Sequence, residues 1–165
     1  MVNCCRVVEE RKMIKTAKDI LKEKGGHLVT VTSDATIHQA LTVMTQNKVG
    51  AIVIVDDEKI VGIWTERDLM FRVLEDGFNS KTAKLGDNMS GDLISANVKE
   101  QTFQLYDKFL GRRIRHLLIE EDGEYIGLLS VGDVMKANLQ QKTEEFAELN
   151  QMVSLEYYEN WKGAQ

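Results

Sequence analysis

The 165-residue chain contains no proline and only two cysteines. Without proline, its turns rest on Gly, Asp, Asn and Ser. Cys4 and Cys5 are adjacent, so no disulfide framework holds the fold. No second Cys pair and no nearby His accompanies them, which leaves a metal role unsupported. The N-terminus lacks a signal-peptide pattern, and a reducing cytoplasm is the expected home. No apolar run approaches the roughly 18 residues that a membrane span needs. Positive charge is in deficit: the net charge of -5 argues against broad nucleic-acid binding, which needs a basic surface. There is no Gly-x-Ser-x-Gly elbow, no phosphate loop with its Lys and no His/Glu spacing for zinc, so nothing points to an enzyme. What is present, 43% hydrophobic and 28% charged residues, fits an ordinary globular protein.

The main feature is a doubled motif. Gly62-Ile63-Trp64-Thr65-Glu66-Arg67-Asp68 recurs as Gly127-Leu128-Leu129-Ser130-Val131-Gly132-Asp133, an offset of 65 residues. In each copy apolar residues leading to a hydroxyl read as a buried strand, and the hydroxyl opens a helix. The first turn of a helix has unpaired N–H groups, so backbone donors, a hydroxyl and a carboxylate meet at one spot. The same offset aligns Leu28 with Leu93, Met44 with Phe109, Val49 with Ile114 and Ile54 with Ile119. The spacing Thr65-x-x-Asp68 and Ser130-x-x-Asp133 also fits a capping box, which needs no ligand.

Periodicity predicts a helix over 15–24, stopped by Gly25-Gly26, and a strand over 28–31. A second helix, capped by Ser33 or Asp34, buries Ile37, Ala40, Leu41 and Met44 and ends at Asn47 and Lys48. Strands over 51–55 and 60–64 flank the turn Asp56-Asp57-Glu58. Thr65 starts a helix running to about Asp76, with Gly77 as its left-handed stop. Residues 78–90 read as a polar crossover linker with one helical turn. The pattern then restarts: a strand over 93–96, a helix over 102–110 stopped by Gly111, strands over 117–119 and 125–129, and a helix opened by Ser130. A tail to Trp161 carries Met135, Leu139, Phe146, Leu149, Val153 and Tyr157 at three-, four- and seven-residue steps. That stripe either packs back on the module or pairs with a second copy.

On the stretches "DILKEKG" at 19–25, "SDATIHQAL" at 33–41, "KVGAIVIVDDEKIVGIWTERDL" at 48–69 and "RRIRHLLIEEDGEYIGLLSVGDVMK" at 112–136, the chain resembles a tandem pair of CBS (cystathionine-β-synthase) domains. It departs in lacking the Pro often found at Leu118 and in carrying Trp64 where a smaller apolar residue is usual. The resemblance implies an α+β fold: two β-α-β-β-α repeats over 16–80 and 81–137, packed about a pseudo-twofold, and an amphipathic C-terminal helix over 138–163. It implies a non-catalytic, regulatory protein, expected as a homodimer acting on a protein partner of unknown identity. Its ligand would be adenosine-containing: AMP, ADP or ATP, with NAD and S-adenosylmethionine in the same class.

Carried over residue by residue, Asp68 and Asp133 accept hydrogen bonds from ribose hydroxyls, and Thr65 and Ser130 support ribose or phosphate. Ile114, Arg115 and His116 line the Asp68 cleft. Gly50 and Ala51 line the Asp133 cleft, with Arg67 reaching across. Arg112, Arg113, Arg115 and His116 form a basic cluster in an acidic chain, and guanidinium forks pair well with phosphate. Read as a strand, Arg113, Arg115 and Leu117 point one way and Ile114 and His116 the other. On this reading the Asp68 cleft carries the phosphate and the Asp133 cleft adds no charge of its own. The competing reading is an interaction module with vestigial clefts, working through its C-terminal helix.

Overall fold

The computed structural model describes residues 14–25 and 28–162, with side chains to 153. Cys4, Cys5, His27 and the side chain of Tyr157 lie outside the described set. The elements run α1 (Ala17–Lys24), β1 (Thr30–Val31), α2 (Ile37–Asn47), β2 (Ala51–Asp56), β3 (Lys59–Thr65), α3 (Glu66–Arg72), β4 (Ser95–Asn97), α4 (Thr102–Arg112), β5 (His116–Glu121), β6 (Glu124–Ser130) and α5 (Val131–Lys162). This is the mixed α+β fold expected. The 65-residue offset maps α2 onto α4, β2 onto β5 and β3 onto β6, end to end.

The chain divides into two compact units. One comprises residues 25–98 and 116–129 and holds both three-stranded sheets, ordered β1-β2-β3 and β4-β5-β6. β1 runs parallel to β2, and β2 antiparallel to β3, with Ala51 opposite Thr65 and Ile54 opposite Gly62. β2 is buried from Ala51 to Ile54, as a continuous apolar run requires. Ile37, Ala40 and Met44 of α2 join Ile52, Ile54, Trp64 and Leu85 in one core cluster. Leu85 corrects the reading of 78–90 as a polar linker: it is fully buried. Met89 lies so close to Gly62 that any Cβ there would collide with its side chain.

The other unit contains α1, α4 and α5. Ala17, Ile20, Leu105, Phe109, Val134 and Ala137 are its buried apolar residues. Gln141 is buried too, and its side-chain oxygen accepts from the Lys15 N–H at 3.5 Å.

Each repeat's helix start is covered by the segment that precedes the other repeat. In the first, Ile37 N–H donates to the Ala83 carbonyl and Leu85 N–H to that of Ala35, both at 2.9 Å. In the second, Thr102 N–H donates to the Lys15 carbonyl at 3.2 Å and Ala17 N–H to that of Glu100 at 2.8 Å. The bonds from Ile37, Thr102 and Ala17 satisfy N–H groups that a helix start leaves without partners.

Several boundaries differ from expectation. The cap of α2 is Thr36, not Ser33 or Asp34: Gln39 N–H donates to Thr36 Oγ1 at 3.2 Å and Thr36 N–H to Gln39 Oε1 at 2.8 Å. Ser33 is engaged elsewhere, its N–H donating to Asp56 Oδ1 at 3.0 Å. Helix α3 ends at Arg72, not near Asp76. Beyond it Leu74 N–H reaches Phe71 and Glu75 N–H reaches Arg72, the three-residue spacing of a tightened, unwinding turn. Gly111 does not stop α4; it is helical, and the left-handed cap is Arg113 at φ 52°. Its counterpart Lys48 caps α2 at φ 54°. The strand alternation expected over 112–116 therefore fails: Arg112 is helical, Arg113 is left-handed, and β5 begins only at His116. β4 starts at Ser95, two residues later than expected.

Candidate functional site

Each doubled motif folds as the sequence implied, a strand end opening into a helix. β3 stops at Thr65, whose backbone is extended (φ -132°, ψ 165°) while Glu66 begins α3. Asp68, third in the helix, folds back: its Oδ2 accepts from Thr65 N–H and Thr65 Oγ1, each at 2.8 Å. In the second copy Asp133 Oδ2 accepts from Ser130 N–H at 2.8 Å and from Ser130 Oγ at 2.7 Å. Asp133 N–H in turn donates to Ser130 Oγ at 3.2 Å, closing the box in both directions.

The capping reading is thus realised in both copies, and it leaves something over. Among the described residues every hydrogen bond to each Asp carboxylate falls on Oδ2, and Oδ1 takes none. An ionised carboxylate accepts at both oxygens. One oxygen fixes the helix start, and the other is left to accept from a hydroxyl.

Gly50 and Ala51 stand beside Thr65 in the same repeat. Ala51 pairs with Thr65 across the ladder, and Glu66 N–H donates to the Gly50 carbonyl at 3.1 Å. A Cβ at Gly50 would meet the flexible end of the Glu66 side chain, which would have to swing aside. The second repeat repeats the bond, Val131 N–H donating to the Arg115 carbonyl at 3.0 Å. Arg115 therefore adjoins the Ser130–Asp133 motif. Ile114 is half-buried and its N–H closes on the Phe109 carbonyl at 3.2 Å. His116 opens β5 half-buried, and Arg67 lies exposed on the first turn of α3.

The residue that sequence reasoning missed is Lys24. Its Nζ lies 3.0 Å from Asp133 Oδ2, although Arg67 was the cation expected there and the site was expected to carry none of its own. Burial works to raise the Asp133 pKa, but the Ser130 bonds and Lys24 outweigh it and hold the carboxyl below its ordinary value of 3.8. Beside the pair is a cavity of about 410 Å³ whose charged lining is Lys15, Lys24 and Lys136 with Glu23, Asp133 and Glu144. Sequence gave one faint signal for Lys24: it ends α1, where a cation suits the helix dipole. Nothing local tied it to a residue 109 positions away.

Among the described residues no group of three or more His, Cys, Asp or Glu is placed to hold a metal ion. Among them no helix is long and apolar enough to cross a membrane.

The fold and the paired strand-to-helix motifs define a class, the regulatory pair of CBS domains. The CBS-domain family model matches residues 17–75 and again 85–140, and the chain belongs to that family. It is 34% identical over 144 residues to the mitochondrial CBS domain-containing protein CBSX3 of Arabidopsis thaliana, covering 82% of this chain and 70% of that one. The solved CBS-domain protein of Agrobacterium tumefaciens is 35% identical, with a TM-score of 0.73 over 78% of this chain and 97% of that one. At 21% identity the fold still matches the CBS pair of MJ0100, solved with 5'-methylthioadenosine and S-adenosylmethionine (TM-score 0.68, 78% of this chain, 99% of that one).

Proposed function

We propose that this CBS pair binds an adenosine-containing ligand at its two strand-to-helix motifs and passes the binding on as a change of conformation or assembly. The observation that carries the reading is the division of labour in Asp68 and Asp133: Oδ2 caps the helix and Oδ1 is left to accept ribose hydroxyls. Thr65 and Ser130 stand beside the carboxylates, and Gly50, Ala51, Arg67, Ile114, Arg115 and His116 complete the proposed contact set. The adenosyl ligands of the MJ0100 pair support the ligand class. The regulatory action follows the rule that a ligand shifts an equilibrium only by binding one state more tightly than another. The chain acts from the cytoplasm on a partner protein and is not itself a catalyst. Calorimetric titration with AMP, ADP, ATP, NAD and S-adenosylmethionine tests this. Saturable binding of at least one is expected, and silence from all five at millimolar concentration would sink it.

One observation favours a second reading, in which α5 acts as an oligomerisation element. Leu139, Phe146, Leu149, Met152 and Val153 are each 55–69% exposed along one helix. An apolar stripe of that length on a helix usually marks an interface, here with a second copy as a homodimer. Leu139→Lys with Phe146→Glu should turn a dimer into a monomer in sedimentation velocity. A wild-type chain that sediments as a monomer at all concentrations removes this reading.

A further inference from the structure

We propose that the Asp133 motif is the one that takes a phosphorylated ligand, with the ammonium groups of Lys24 and Lys136 holding its phosphate chain. This rests on the nucleotide reading above and deepens it. Lys24 lies against Asp133 at 3.0 Å, so a cation already sits next to the carboxylate assigned to ribose. Lys136 follows Asp133 by three positions, which puts both on one helix face. Lys136 is exposed, and among the described residues it has no hydrogen-bond or ion-pair partner. Both lysines line the 410 Å³ cavity that Asp133 borders.

The third lysine there is committed otherwise: Lys15 Nζ is 2.7 Å from the Glu23 carboxylate. Lys24, already paired with Asp133, and Lys136, without a partner among the described residues, are the two assigned to the phosphate. The first repeat has a different chemistry at the matching place. The counterpart of Lys136 is Phe71, which is 61% exposed. Among the described residues Asp68 has no ion pair, and its side-chain hydrogen bonds are those with Thr65. A point charge on a flexible stem suits a phosphate chain, whereas an exposed aromatic beside a bare carboxylate suits an uncharged nucleoside. The Arg112–His116 run had suggested the opposite allocation, with phosphate at Asp68.

The test uses the full chain, Lys24→Met with Lys136→Met, and the charge-keeping Lys24→Arg with Lys136→Arg. Calorimetry reads adenosine and ATP, and phosphorus NMR reads inorganic tripolyphosphate. The Met pair should lower ATP affinity at least tenfold, leave adenosine within twofold and abolish the tripolyphosphate shift. The Arg pair should restore ATP affinity to within about threefold of the wild type, which separates charge from structure. Unchanged ATP affinity in the Met pair overturns the proposal and leaves the nucleotide reading standing. If no adenosine compound binds the wild type, the nucleotide reading fails, and tripolyphosphate alone decides. Binding that the Met pair loses keeps the lysine site; no binding, or equal binding by the Met pair, overturns it.

Discussion

Lys24 and Asp133 form an ion pair across 109 residues of sequence, Nζ to Oδ2 at 3.0 Å, with Ser130 donating twice to the same oxygen. Lys24 ends α1 and Asp133 sits in the first turn of α5, so one contact ties the two helices. Partial burial raises the cost of the charge, and the three donors more than repay it.

The sign of the pH dependence follows. In the unfolded chain the carboxyl titrates near 3.8, and in the folded chain below that. Its contribution to stability is therefore complete above pH 3.8 and is lost as pH falls through the depressed folded value. Asp133→Asn should be less stable than the wild type at pH 7, by about 1–3 kcal/mol for hydrogen bonds to a charged group. The gap should shrink once pH drops below the window. Asp19 and Asp56 are also held low, by Thr16 and Ser33 respectively, but both proteins carry them and they cancel in the difference. Urea titrations at pH 7 and at pH 3 read the gap, and an equal gap at both contradicts the assignment.

Capping and ligand binding can be separated at Asp68 because they use different oxygens. Asn keeps one carbonyl oxygen for the Thr65 donors and replaces the other with an amide NH₂, which cannot accept a ribose hydroxyl. Asp68→Asn and Asp133→Asn together should weaken the nucleoside about 10- to 100-fold, the size of one or two charge-assisted bonds. Asp68→Asn alone should cost no more than the ~1 kcal/mol of a lost helix cap. Calorimetry and thermal melts of the same samples check both. Full affinity in the double variant would leave the carboxylates with a structural role only.

The two repeats supply an internal control for one hairpin. Asp57 and Glu58 both adopt left-handed backbone, at φ 48° and 61°, and so do Asp122 and Gly123 at 53° and 88°. A two-residue hairpin with both residues left-handed favours glycine at the second place. The second repeat has it; the first forces a Glu into a conformation that costs an L-residue roughly 1–2 kcal/mol. Glu58→Gly should stabilise the chain by about 0.5–1 kcal/mol after the entropy of the extra glycine is deducted. Equilibrium urea unfolding measures it, and a loss of stability contradicts the strain.

The 65-residue repeat carried most of the fold in plain sight. Once Gly62 is aligned with Gly127, the second copy's elements follow from the first, and the observed helices and strands keep that register. Caps were less legible, because a helix start chooses among neighbouring hydroxyls by what else engages them. Ser33 was drawn to Asp56, which left Thr36 to cap α2. Arg113, not Gly111, took the left-handed turn, at the place that Lys48 holds in the first repeat. Leu85 hid among polar residues, since a lone buried side chain in an irregular segment has no period to reveal it. At the candidate site Thr65, Asp68, Ser130 and Asp133 were readable as motifs, but Lys24 was not. Its role depends on α1 docking beside α5, a contact that no local pattern encodes.

Trp64, the residue that marks the first strand-to-helix motif as unusual, offers a test of the core. It is fully buried, and its indole Nε1 has no hydrogen-bond partner among the described residues. Leaving a donor buried and unpaired costs about 1–3 kcal/mol. Phe removes the N–H along with part of the ring, so the gain from losing the unpaired donor opposes the loss of packed volume. Trp64→Phe should therefore change stability by less than about 1 kcal/mol, whereas Trp64→Ala, with no such offset large enough, should cost about 3–5 kcal/mol. Urea midpoints of the three proteins decide it. If Phe proves nearly as damaging as Ala, the indole N–H is satisfied in solution and the packing around Ile52 and Ile54 depends on the whole indole ring.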